Sequence, residues 1–343
     1  MKNLFFIIAI VLTSFHSYGQ VNTDAIESYF KITDSLKAGK KISEDAWNSF
    51  FKIEGNAFFL KKTARNSSEL MQTFKGKVNQ VYNSSDASQL NPGLDLVLRD
   101  IIYVKTHETS IKNFVKSFAK GYLIDSMYQE SYKYLPKRLQ TRVKNLNLVL
   151  SAPLAPNASA ENETIYTNVA IEHRFYKIKP GAVSTHELHH LLLKRQKFKN
   201  PILKHEFHIV FVLSLISREG IADLIDKKYL AQFDDTTYNG LLNKSLVQSD
   251  KLVLNISLEI EKLRSNVNQR PNFKLSSGHT PGYFMARIIE RNGYLNELIE
   301  GIDNPFNFIY IYNKAAKKDK GKPTIFADGT IEFLKEIDKR LFN

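Results

Sequence analysis

The stretch Thr185-His186-Glu187-Leu188-His189-His190 constrains this chain most, because the chemistry it offers depends on a helical backbone. In a helix, residues four apart share a face, so His186 and His190 can grip one metal ion while Glu187 points beside it. That is the geometry of a zinc hydrolase, with the glutamate placed to polarise a water. His186 and His189, three apart, could also chelate. The wider pair is preferred because it keeps Glu187 in position, which leaves His189 to hydrogen-bond in the core or line a cleft.

The flanking sequence supports a helix here. Pro180-Gly181 punctuates the chain, and Val183 through Lys194 carries an apolar face of Leu188, Leu191 and Leu192 and ends on basic Lys194-Arg195. After Asn200-Pro201 a second helix is expected over Ile202 to Asp226, buried on most sides because Ile209 to Ile216 is nearly all apolar. It presents Arg218-Glu219-Gly220-Ile221-Ala222-Asp223. A zinc site with two imidazoles needs a third protein ligand and keeps one position for water, and Glu219 can be that ligand. Asp223, four residues on, can accept the second ring N–H of a ligating histidine. Gly220, costly inside a helix, would make sense if the two metal helices approach closely there. The alternative for Glu219 is a solvated acid paired with Arg218 or Arg195.

His186-Glu187-Leu188-His189-His190 followed by Glu219-Gly220-Ile221-Ala222-Asp223 resembles the zinc peptidases of the gluzincin type. It is similar to uncharacterised exported bacterial families of zinc-dependent peptidases, in which a His-Glu-x-His-His helix precedes a Glu-Gly-x-Ala segment. The resemblance extends to the helical N-terminal half and to the Gly-Tyr-Phe-Met-Ala helix near the end, but only the two metal segments are specific. It implies His186, His190 and Glu219 as ligands to one zinc ion, Glu187 as general base, and Asp223 behind the ligands. The gap from His190 to Glu219 is longer than in the best-known gluzincins, which bears on the substrate cleft more than on the ligand set.

The remaining sequence narrows the setting. Lys2, the apolar run Leu4 to Leu12 and the small residues of Ser17-Tyr18-Gly19 read as a signal peptide cleaved near Gly19, too short to stay as a membrane anchor. The expected location is therefore outside the cytoplasm, periplasmic or secreted. With no cysteine, any metal must use His, Asp or Glu. The formal charge of +13 loses one unit with Lys2 and is spread along the chain; with no nucleic-acid module present, no nucleic-acid partner is expected. No later stretch is apolar enough for a stable membrane span, and oligomeric state is left open.

A mainly α fold with a small β-sheet (α+β) is expected, organised as a signal peptide (1–19), a helical N-terminal region (20–144) and a gluzincin-like catalytic region (145–343). Ile26, Tyr29, Phe30 and Trp47, Phe50, Phe51 show the helical spacing of the first half, with Trp47 turned inward. Leu146–Leu150 and Thr164–Ile171 read as strands separated by a Pro/Ala/Asn loop over Pro153–Glu163. Their edge could pair with an extended peptide, or they could form a mere covering hairpin. His205 and His208 lack a matching third group and read as packing or surface residues. A tetrahedral oxyanion needs a donor beyond the metal, and His279 and Tyr283, at the start of a helix with Pro281 in its first turn, are the candidates against packing and capping roles. The expected function is hydrolysis of peptide bonds in a peptide or protein substrate, by a metal-activated water with Glu187 as base. A non-catalytic envelope binding or scaffold protein, or a zinc hydrolase of non-peptide amides, would use the same residues.

Overall fold

The structure, a computed structural model, describes residues 20–63, 66–121, 123–155, 158–193, 197–232, 236–275 and 277–342. The proposed leader and its cleavage point fall outside the described residues. The fold is mainly α with one small mixed sheet, and the chain divides into two compact units. One holds the described residues up to Asp125 together with Arg142–His173; the other holds Ser126–Thr141 and the described residues from Arg174 on.

In the first unit, helices α1 (Asp24–Lys37), α2 (Glu44–Lys52), α3 (Glu54–Thr63), α4 (Ser67–Asn83), α5 (Leu96–Thr106) and α6 (Glu108–Phe118) precede the main strands. Ser43 caps α2 by accepting from the Ala46 N–H at 3.2 Å. Trp47, 3% exposed, is a core residue: it meets Phe50 edge-on at 5.8 Å, and Phe50 stacks on Phe74 at 5.8 Å. The sheet runs β1-β2-β4-β3, built from β1 (Gln20–Asn22), β2 (Asn147–Ser151), β3 (Ala158–Glu161) and β4 (Thr164–Asn168). The first three strands in that order are parallel, and β3 pairs antiparallel to β4.

The sheet departs from the sequence pattern at two places. Residues 158–161, expected as loop, form β3, because Asn162 (φ 46°) and Glu163 (φ 65°) both adopt the left-handed region and close a two-residue hairpin. The strand expected to reach Ile171 stops at Asn168, whose side-chain oxygen accepts from the Ala170 N–H at 2.8 Å and so starts helix α8 (Val169–Tyr176); α7 is Ile124–Tyr132.

The second unit is built on α9 (Ala182–Leu192), α10 (Phe207–Asp226), α11 (Thr236–Ser265), α12 (His279–Arg291), α13 (Leu295–Glu300), α14 (Pro305–Ala316) and α15 (Asp328–Phe342). Gly181, at φ 72°, precedes α9, and Thr185 Oγ1 donates to the Gly181 carbonyl at 2.7 Å. Helix α10 starts five residues later than its apolar pattern suggests. The Glu206 carboxylate accepts from the Leu203 N–H at 3.0 Å and pairs with Arg340, which holds residues 203–206 in a turn instead. Ile209, Leu213, Ile216, Ile221 and Ile225 are then buried around α10.

Gly220 does mark a close approach, but its partner is α12 and not the motif helix. A Cβ on Gly220 would lie 2.5 Å from the Gly282 carbonyl oxygen, and one on Gly282 would lie 2.5 Å from the Ile216 carbonyl oxygen. Here backbone packs on backbone, so neither helix has a flexible side chain that could yield. Gly282→Ala is expected to cost about 1–3 kcal/mol of stability in urea unfolding; an unchanged midpoint would mean that the helices part freely.

Candidate metal centre

All the predicted site residues lie in the second unit. Helix α9 presents His186 and His190 from one face, and α10 presents Glu219, Asp223 and Asp226 from one face. His186 Nε2 and His190 Nε2 are 3.1 Å apart. Glu219 Oε2 is 3.2 Å from the second of these atoms and 3.4 Å from the first. Three ligands to zinc in a tetrahedron, at bond lengths of about 2.0–2.1 Å, stand about 3.3 Å from one another. The triangle therefore has the size of one face of such a tetrahedron.

The carboxylates set the ring tautomers. His186 Nδ1 faces Asp226 Oδ1 at 3.1 Å and Asp223 Oδ1 at 3.5 Å, and with only acceptors on that side Nδ1 carries the hydrogen. Its Nε2 lone pair then points into the triangle. Asp223, expected to stand behind one of the ligating histidines, does face His186, and Asp226 makes the shorter contact. Asp223 instead faces the His279 ring, whose Nδ1 lies 3.0 and 3.1 Å from its two oxygens and 3.3 Å from Glu219 Oε2. His279 Nδ1 is thus also the donor, and its Nε2 is left to face outward on a side chain that is 43% exposed. Asp226 and Lys227 are not singled out by the motif. The signal available for Asp226 is its position seven residues after Glu219 and three after Asp223, which continues the same helical face.

The centre carries a strong negative field. Burial works against a charged His186, but Asp226 first, then Glu219 and Asp223, outweigh it and lift the imidazole well above its usual range. Burial also disfavours ionised Glu219, yet hydrogen bonds from His186 and His190 keep its carboxyl far below the usual one. Asp226 is held low against its own burial by Lys227 and His186. Lys227 Nζ stands 3.0 Å from Asp226 Oδ2; burial would lower its pKa, but Asp226 and Asp223, with a smaller push from Glu187, raise it. A field that retains protons on imidazole also retains a metal cation.

A second donor set overlaps the first. One atom each from His186, Glu219, Asp223 and His279 lie within 4.8 Å of one another. That spread exceeds a tetrahedral edge, and the Asp223–His279 contact already has the length of a hydrogen bond. Glu187 is half-buried on α9, next to His186 in the chain. Tyr283 is buried, and its hydroxyl accepts from Arg287 at 3.0 Å. His189 points into the core and donates from Nε2 to the Tyr134 carbonyl at 3.2 Å. His208 is exposed, and the acid beside it, Glu206, is taken by Arg340.

Residues 47–321, well over half of the chain, match the family described as "Putative zinc dependent peptidase (DUF5700)". The chain belongs to this family. No curated protein and no solved structure matches it. Among the described residues, no helix is long and apolar enough to cross a membrane.

Burial, followed by the neighbouring His190, depresses the His189 pKa to about 3. The unfolded chain protonates this ring near pH 6.5, well before the folded one does, so the contribution to stability is full above that pH and is lost as pH falls towards the folded value. In EDTA-treated protein, wild type should lose stability relative to His189→Gln across this window; parallel pH profiles would contradict the assignment.

Proposed function

We propose that this protein is a zinc metallopeptidase in which His186, His190 and Glu219 hold one zinc ion and Glu187 is the general base. The observation that carries this reading is the triangle of two imidazole nitrogens and one carboxylate oxygen with edges of 3.1, 3.2 and 3.4 Å. Two histidines and a glutamate match the ligand set of catalytic zinc, which leaves a coordination position open.

When bound, zinc supplies a Lewis acid that polarises the scissile carbonyl and brings the pKa of water towards about 7. Glu187 takes the proton of the attacking water and delivers it to the leaving amine. His279 donates Nδ1–H to Asp223 at 3.0 Å. Burial opposes a charged ring, but this carboxylate raises its pKa, so the protonated ring offers Nε2–H as a second donor to the developing oxyanion. Tyr283, buried one turn further along α12, is the second candidate donor; its hydroxyl accepts from Arg287 and keeps its own hydrogen to give. Asp226 holds His186 in the tautomer whose Nε2 can ligate. The leader-like residues 1–19 support action outside the cytoplasm.

Glu187→Gln should retain one zinc per chain and lose hydrolysis of a peptide library by at least about a hundredfold. Glu219→Ala should lose the zinc itself. Full activity in the first variant would remove Glu187 from the mechanism, and full zinc in the second would remove Glu219 from the ligands. Asp226→Asn should weaken zinc binding on the order of 10–100-fold in chelator competition; unchanged affinity would show that His186 needs no anchor.

A further inference from the structure

The solvent-facing side of α10 does not end at the proposed zinc site. Exposed His208 and Phe211, then half-buried Leu215 and Glu219, follow at spacings of three and four, so they form one stripe along the helix. Beside the apolar part of this stripe lies a groove of about 480 Å³, walled opposite by residues 271–275 with Phe273 and Leu275 among them. Phe211 is 57% exposed, and Phe207, stacked on it with ring centroids 6.3 Å apart, is 55% exposed, so the start of α10 presents two large apolar side chains to solvent. The groove is tied to the metal centre by backbone contact: a Cβ on Gly278 would lie 2.5 Å from the Leu215 carbonyl oxygen, and His279, the next residue, reaches Asp223 and Glu219.

We infer that this groove is a substrate subsite that takes a bulky apolar side chain of the peptide, and that Phe211 and Leu215 determine this preference. The inference rests on the peptidase reading of the adjacent site. At about 1.5 Å per helical residue, Leu215 and Phe211 lie about 6 and 12 Å along α10 from Glu219. An extended peptide advances about 3.3 Å per residue, so the recognised side chain lies about two to four residues from the scissile bond. The shared face of α10, on which Leu215 stands one turn before Glu219 and touches the residue before His279, is what favours a substrate chain as occupant over a separate partner.

The test uses labelled alanine-serine decapeptides, each with a single phenylalanine moved along the sequence, and the full-length Glu187→Gln protein loaded with zinc. At one or two positions, phenylalanine should tighten binding on the order of tenfold over the all-alanine-serine peptide. Adding Phe211→Asp should abolish that gain while leaving zinc content and melting temperature unchanged. Equal binding of all the peptides, or a gain that survives Phe211→Asp, overturns the inference. So does a concentration-dependent dimer that Phe211→Asp disrupts, since a second copy would then occupy the groove. Cleavage of the same peptides by wild type is scored separately: a protein that binds them with the expected pattern but never cleaves them sinks the peptidase reading and leaves the groove assigned.

Discussion

Where Gly220 faces Gly282, the backbones of α10 and α12 touch, and any Cβ placed between them would sit 2.5 Å from a carbonyl oxygen. The same contact continues at Gly278 against the Leu215 carbonyl. Backbone packed this closely leaves no side-chain rotamer to absorb a shift between the two helices. The next residue after Gly278 is His279, so the contact brings that imidazole over Asp223 and Glu219. Replacing the glycines with larger residues would move the ring away from the carboxylates that orient it.

Around this contact the charges are matched in a small volume. Three carboxylates on one face of α10 meet three imidazoles and one half-buried lysine, so that each acid has a specific partner: Glu219 the pair on α9, Asp223 the ring on α12, and Asp226 both His186 and Lys227. Buried carboxylates are costly unless paired. The cation that offsets the remaining negative charge is supplied by protons on imidazole or by a metal. The field therefore ties fold stability and metal affinity to the same residues, which suits a family of zinc-dependent peptidases.

Much of the site is legible in the order of residues along the chain. The pairing of His186 with His190 follows from helical spacing, because the donor types and the distance of one turn are local properties, while Glu219 enters as the third ligand such a site needs and as the one the resemblance to gluzincin-type peptidases implies. Trp47 can be turned inward from its amphipathic neighbours alone. The hairpin at residues 158–168 is less legible, since Asn162-Glu163 lacks the glycine that usually announces a left-handed turn. The late start of α10 depends on Arg340, more than a hundred residues away in the chain, bonding Glu206.

The sequence by itself determined which chemical groups could meet a metal and on which two helices they ride, because residues three, four and seven apart share a helix face whatever the helix packs against. Tertiary structure decided the pairing of acids with rings. Asp226 stands closer to His186 than Asp223 does, and Asp223 makes its shortest contact with His279, because the crossing of α9, α10 and α12 sets those distances. That crossing is fixed by contacts such as Gly220 on Gly282, between residues distant in the chain, and no local pattern encodes them.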